Sequence, residues 1–464
     1  MTLAHAAQLT ISEAAARIGR RELSPVELTQ ACLDRISGID PRLNAFITVT
    51  ADDALRAARE AEEAIARGDQ RGPLHGIPLA LKDLFATAGV RTTAGSRILA
   101  DRVPEEDSDA AQRLAAAGAV ILGKLNLHEF AFGATGVNPH YGPARNPWNT
   151  ERITGGSSSG SGAAVAAGEC FAALGTDTGG SIRIPASLCG IVGLKPTFGR
   201  VSRRGVIPLS WSLDHVGPLA RTVEDTAIVL QALAGRDPLD QSSSDAPVPD
   251  YHAGLKDGVK GLRVGIPARF FFESLDPEVE RAVRAAVAKL EELGAATEDV
   301  PVPYIDEIPG AVTAIMLPEA LAYHQTWMAQ RPEDYGDDVR YRLELGATFL
   351  AVHYVQAQRL RELAVSAWKR EVFSRVDILA TPATPTVAGP IDKSGLDQTF
   401  SLIRNTSPIN LLGLPAVSLP CGLTSDGLPI GLQLIGRWFD EETVLRAAHA
   451  YEQATEWHER RPPL

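Results

Sequence analysis

The chain has 464 residues, 45% of them apolar, and a formal net charge of −12. That apolar content can bury a large core, as one large domain or two to three ordinary ones. The acidic balance repels phosphate backbones, which speaks against nucleic acid as a partner, and no uncharged apolar run reaches the roughly 18 residues of a membrane span.

The opening MTLAHAAQLT has neither a basic n-region nor a long apolar h-region, so no secretory signal is expected. Ser24-Pro25 starts an amphipathic helix running to about Ile36, and Asp40-Pro41 is expected to break the chain before a strand in NAFITV (44–49). Residues 51–67 read as a strong helix stopped by Gly68. Ile77 to Leu81 reads as an apolar strand ending at Lys82-Asp83, and a helix at 108–117 leads to a strand at 119–122. This alternation of helix and apolar strand argues for an α/β architecture with a buried sheet.

The stretch 155–199 holds 11 of the 41 glycines, which marks either a linker or a place where backbone approaches a ligand closely. The apolar runs 163–167 and 170–174 inside it favour the second reading. Residues 235–260, rich in Asp, Ser and Pro, read as a long surface connection. Beyond it come a strand at 262–266, a helix at 276–293, a largely helical region at 310–372, strands at 376–380, 416–420 and 430–435, and a final helix at about 440–455.

Three motifs could carry chemistry. Lys82 ends an apolar strand in a chain with few lysines; a buried lysine can lose its proton and act as a base, which arginine cannot. The bland alternative is a strand-end lysine reaching solvent. Gly155 to Gly162 (GGSSSGSG) and Gly175 to Arg183 (GTDTGGSIR) are serine-bearing glycine loops. The backbone N–H groups of Thr178, Gly179, Gly180 and Ser181 could converge on one anion, placing Ser181 where a tetrahedral oxyanion needs donors. Each loop alone could equally be a tight turn with capping serines. Gly156 to Gly160 also fits Gly-x-Ser-x-Gly, which would make Ser158 a nucleophile needing Asp and His partners; His215, His324 and His353 are nominal candidates. The glycine loop lacks the Gly-Lys-Ser/Thr ending of a nucleotide phosphate loop. Cys32, Cys170, Cys189 and Cys421 lie far apart and read as free thiols of a reducing, cytoplasmic setting, and the histidines show no ligand spacing, so neither metal nor cofactor is expected.

Taken together, IPLALKDLF (77–85), GAVILGKLNLHEFAFG (118–133), ITGGSSSGSGAAVAAG (153–168), ALGTDTGGSIRIPASLCGIVGLKPTFGRVS (173–202), SLDHVGPLARTVED (212–225), NLLGLPAVSLPCG and GLPIGLQLIG resemble the amidase signature family. The likeness covers nearly the whole chain and is most specific over 60–225. It implies one domain over 1–464 with a large mixed central sheet in a three-layer α/β/α fold, the signature core at 60–225, and a helical substrate-pocket region at 310–372. It implies further that Ser181 is the nucleophile, that Ser157, preceded by a cis peptide from Gly156, relays protons, and that Lys82 is the terminal base. Thr178, Gly179, Gly180 and the Ser181 amide match the oxyanion hole, Ala131 a backbone contact to substrate, and Ser158, Asp177 and Arg183 supporting residues. Phe132 and Ile315, Met316, Leu317 and Leu321 are expected to shape an apolar acyl pocket. The implied reaction is hydrolysis of a small-molecule carboxylic amide, with ester or carbamate turnover as a side activity, by a monomer or homodimer working without other subunits.

Two other readings remain. One is the glutaminase subunit of a Glu-tRNA(Gln)/Asp-tRNA(Asn) amidotransferase, which is a member of the same family. Its acidic glutamine-binding residue aligns here with Ile403, beside Arg404, so the chain is expected to resemble stand-alone amidases more. The other is a catalytically silent binding scaffold, against which the intact Lys82, Ser157 and Ser181 speak.

Overall fold

A computed structural model describes residues 8–464. Helix α1 (Ile11–Gly19) begins with a capping box in which Thr10 and Glu13 satisfy each other's backbone N–H. Helix α2 (Pro25–Leu43) starts where Ser24 Oγ accepts from the amides of Val26 and Glu27. It runs through Pro41 and stops at Asn44 in the left-handed conformation, so the expected break at Asp40-Pro41 does not occur. Asp40 instead accepts from the Ala45 amide at 2.6 Å, securing the helix exit. Strand β1 (Phe46–Val49), helix α3 (Ala51–Ala66), strand β2 (Pro78–Lys82), helix α4 (Asp109–Ala116) and strand β3 (Val120–Leu125) follow.

A short hairpin, β4 (Arg145–Asn146) and β5 (Asn149–Ile153), precedes helix α5 (Ser159–Ala167), strand β6 (Ala172–Asp177), helix α6 (Arg183–Cys189), strand β7 (Val192–Lys195), strand β8 (His215–Ala220) and helix α7 (Val223–Leu233). Strand β9 (Arg263–Pro267), helix α8 (Pro277–Glu292) and strand β10 (Ala296–Val300) come after the polar connection. Helices α9 (Ile308–Gln330), α10 (Asp337–Gly346) and α11 (Ala351–Glu371) then lead to strand β11 (Ile378–Pro382), and helices α12 (Leu396–Ile403) and α13 (Ser407–Leu412) to strands β12 (Ala416–Leu423) and β13 (Pro429–Gly436) and helix α14 (Glu441–Gln453).

Eleven strands form one mixed sheet in the order β1-β3-β2-β6-β8-β7-β12-β13-β11-β9-β10. Parallel pairing of β3, β2 and β6 sets the C-terminal ends of β2 and β6 side by side, with Leu81 opposite Leu174. Strands β2, β6, β7, β8 and β13 are buried along their whole length, and none of them shows the apolar–polar alternation of a strand with one face in water. The principal apolar core extends from Leu9 to Tyr451 over the sheet and its covering helices. The fold class is therefore the expected three-layer α/β with a large mixed sheet. Among the described residues no helix is long and apolar enough to cross a membrane. All four cysteines are buried free thiols.

Candidate active site

Lys82 is the last residue of β2 and is fully buried. Its Nζ donates to Ser157 Oγ at 2.7 Å and to Thr176 Oγ1 at 2.8 Å. Burial pushes the ammonium down to about 7, against the pull of Asp214 and Asp177, which favour the charged form. A lysine in this position is part-neutral at ordinary pH.

Ser157 is presented by a glycine loop that leaves no room for side chains. The Gly156–Ser157 peptide is cis. A Cβ on Gly156 would lie 2.7 Å from the Gly136 amide nitrogen, which explains why glycine stands there. Ser157's carbonyl accepts from the His128 amide at 3.1 Å. Ser158 is a crosslink rather than an exposed hydroxyl: its Oγ contacts the carbonyl and amide of Thr176, at 3.2 and 3.3 Å, and its amide donates to the Ser181 carbonyl at 3.2 Å. Ser157 and Ser158 are 0% exposed and Ser181 is 7% exposed, so of the three only Ser181 can meet a substrate.

Ser181 closes the loop that leaves β6. Asp177, the last strand residue, organises that loop: its carboxylate accepts from the amides of Gly180 (2.8 Å) and Ile182 (3.1 Å) and forms a two-pronged pair with Arg183 at 2.9 and 3.0 Å. Burial alone would raise the Asp177 carboxyl, but Arg183, Lys195 and Asn410 outweigh it and hold it well below the usual carboxylate range. Arg183 is completed by Gln433 (2.7 Å) and Asn410 (2.6 Å), so each nitrogen of the buried guanidinium has a hydrogen-bond partner. Gly180 is expected among the oxyanion donors; its N–H is instead engaged by Asp177 Oδ1. The amides of Gly179 and Ser181 have no protein acceptor among the described residues. Thr178 Oγ1 donates to Asp214 Oδ1 at 2.6 Å.

A cavity of about 520 Å³ opens over Ser181. Ala131 and Phe132 line it, placed by a short turn at Glu129–Ala131 in which Phe130 and Ala131 both take positive φ, 48° and 59°. Buried Glu129 ties that turn to its surroundings, accepting from Ser96 Oγ (2.5 Å), His140 Nε2 (2.9 Å) and the Gly336 amide (2.8 Å). Met316 and Leu317 face the cavity, whereas Ile315 belongs to the core beneath α9 and Leu321 lies outside the lining. Leu209, Phe270, Leu345, Phe400 and Ile403 extend the apolar wall. Charged groups break it at Arg342, Arg404 and Asp397. Arg342 is paired with Asp338 at 2.5 Å and stacks on the Phe132 ring at 4.9 Å.

The histidine alternative has no geometry behind it. His215 is buried, with Nδ1 on the Leu213 carbonyl at 2.7 Å, His324 contacts Tyr335, and His353 caps α11; none bonds a serine of either loop. Sequence reasoning missed Thr176, Asp214, Asn410 and Gln433. All four lie inside motifs that carry the family likeness, but nothing in their spacing reveals the contacts they make.

The chain is similar to known proteins in sequence and fold. The family model described as Amidase matches residues 27–445. A subunit of the glutamyl-tRNA(Gln) amidotransferase of Moorella thermoacetica is 48% identical over 98% of both chains. Among solved structures, a chain from a vestigial protein complex that bears on the origins of an s-triazine catabolic enzyme superposes with a TM-score of 0.92 at 38% identity, covering 96% of this chain and 98% of that one. The peptide amidase of Stenotrophomonas maltophilia superposes with a TM-score of 0.87 at 34% identity over 98% of both chains. The expectation that the chain resembles stand-alone amidases more than the amidotransferase component is thus corrected: it rests on one position, 403, whereas identity accumulates along the whole chain.

Proposed function

The chain belongs to the amidase family, hydrolases of C–N amide bonds, and on that premise we propose that it acts through a Ser181 acyl-enzyme with Ser157 and Lys82 as its proton relay. The observation that carries the reading is the 2.7 Å contact between Lys82 Nζ and Ser157 Oγ in a site where, of Ser157, Ser158 and Ser181, only Ser181 reaches the cavity. In neutral Lys82 the same contact runs in the other direction, with the Ser157 hydroxyl donating to the amine lone pair. Ser157 then accepts the Ser181 proton as Ser181 attacks the carbonyl carbon. The developing oxyanion is met by the unengaged amides of Gly179 and Ser181. The relay returns a proton to the leaving amine or ammonia, and water, activated along the same path, releases the acid.

For the substrate, full-length similarity to the amidotransferase component supports a glutamine side-chain amide as ammonia source, with further subunits as partners. Asp397 and Arg404 at the cavity supply an acid and a base of the signs an amino-acid ammonium and carboxylate require. A second reading, a stand-alone amidase for apolar amides, is favoured by the apolar wall and by Ile403 in place of an acid. Turnover of glutamine and of benzamide by the purified chain, each with Ser181→Ala as control, tests both. Activity on glutamine that rises when the other amidotransferase components are added supports the first; efficient benzamide hydrolysis by the chain alone supports the second. Undiminished turnover in Ser181→Ala overturns the acyl-enzyme.

A further inference from the structure

A second cavity, of about 430 Å³, shares no lining residue with the one over Ser181. Its floor is formed by Thr176 and His215, 4% and 3% exposed, and its mouth by Trp211 and Leu239, 48% and 74% exposed. Its size lies in the range of small-molecule sites, about 300–1,000 Å³.

Three guanidinium groups line it, and they are not equally engaged. Arg204 is held by Asp237 at 2.8 Å and by Asp109 at 3.2 Å. Arg203 donates to the Trp211 carbonyl and to Ser242 Oγ, lies over the Phe198 ring, and its Nε, which has no hydrogen-bond acceptor, is ion-paired with Asp240 at 4.0 Å. Arg102 forms no ion pair among the described residues, and its Nη1 is buried without an acceptor. A guanidinium cannot shed its proton, so a sheltered one without a counter-charge is costly unless an anion meets it. Asp214 in the same wall acts electrostatically on Arg203 but forms no ion pair with Arg102; its oxygens accept from Thr178 Oγ1 and from the amides of Leu209 and Ser210. Trp211 and Tyr323 add an apolar corner, their rings edge-to-face with centroids 6.3 Å apart.

We infer that this cavity is a binding site for a small aromatic carboxylate, the carboxylate held by Arg102 and Arg203 and the ring lying against Trp211 and Tyr323. The site does not depend on the acyl chemistry and stands whether or not Ser181 is the nucleophile.

The test is calorimetric titration of the full chain with benzoate and, separately, with inorganic phosphate. Benzoate should bind at one saturable site. Arg102→Gln should weaken it by about tenfold or more, the loss expected for a hydrogen bond to a charged group. Trp211→Ala should weaken it about threefold or more, and because Trp211 is half exposed its truncation leaves the fold intact even if Arg102→Gln does not. Benzoate binding unchanged in both variants would place the ligand elsewhere and overturn the assignment. Phosphate binding as tight as benzoate, and insensitive to Trp211→Ala, would overturn the aromatic part and leave a plain anion site.

Discussion

The Thr178 hydroxyl and the Asp214 carboxylate are joined by a 2.6 Å hydrogen bond that ties the Ser181 loop to the strand following the Leu209 wall. Asp214 is also the acid that acts most strongly on Lys82, favouring its charged form. Asp214→Asn keeps an acceptor for Thr178 but removes the charge. Lys82 should then lose its proton more easily, and the ascending limb of kcat/KM against pH should move to lower pH. A limb that stays in place or moves up would refute this coupling.

Lys82 itself sets a second expectation. A base pushed down to about 7 is active when deprotonated, so kcat/KM should rise with pH through that region and level off above it. Lys82→Arg and Lys82→Ala should both lose roughly 10²–10⁴-fold, the contribution of positioned acid–base catalysis. A folded Lys82→Arg enzyme of near-native rate would send the mechanism back to other residues.

The same depressed value has a stability consequence of definite sign. The unfolded lysine holds its proton up to its ordinary value of about 10.5, while the buried one loses it above about 7, so stability falls as pH drops from about 10.5 to about 7 and stays at its lowest below that, where the charged amine has to be buried. The penalty is therefore largest at pH 6–7 and fades as pH approaches the ordinary lysine value. Lys82→Met removes that penalty and should stabilise the fold at pH 6–7 by roughly 1–4 kcal/mol, seen as a higher melting temperature. Differential scanning calorimetry at pH 6 and pH 9 checks it: the Met variant's advantage should shrink at the higher pH.

Ser158 and Ser181 should separate cleanly in labelling. A fluorophosphonate should modify Ser181, located by peptide mass spectrometry. Ser158→Ala should keep that label while losing about 1–3 kcal/mol of stability, because the Thr176 backbone groups it contacts are buried. Label on Ser158 would revive the Gly-x-Ser-x-Gly reading.

Arg183→Met leaves Asp177 charged and buried without its partner. The expected cost is roughly 3–5 kcal/mol, read as a fall in the chemical-denaturation midpoint, with loss of activity as the Ser181 loop loosens. A variant of near-native stability would show that the remaining contacts, Asn410 among them, suffice to hold Asp177.

Much of this is legible in the sequence because strand ends and glycine loops leave strong local marks. Lys82 at the close of an apolar run and the serines inside glycine clusters each allow a bland reading alone, and only the motifs taken together, with the family resemblance, single them out. What is not legible depends on distant pairings. Asn410 and Gln433 reach Arg183 from 227 and 250 residues away, and no periodicity reports that. Gly180 reads as a free donor because the glycine pattern shows where an amide can point but not that Asp177 will claim it. Pro41 misleads for the opposite reason: proline usually marks the end of a helix, but here Asp40 and the left-handed Asn44 supply the stop further on. Strands β7 and β8 lie inside recognised motifs yet carry Gly, Pro and His, which blur their strand signal.

The residues proposed for the chemistry all lie between positions 82 and 183, while most of the cavity wall over Ser181 comes from α9, α10 and α12, between 309 and 404. On the proposed assignment, bond-breaking lies on the earlier stretch of the chain and most of the cavity wall on the later one, with Ala131 and Phe132 of the earlier stretch also lining the cavity. Substitution or recombination in the later stretch can retarget the enzyme while the earlier one is inherited intact, a division of labour through which one scaffold can be diverted to new nitrogen sources without reinventing its reaction.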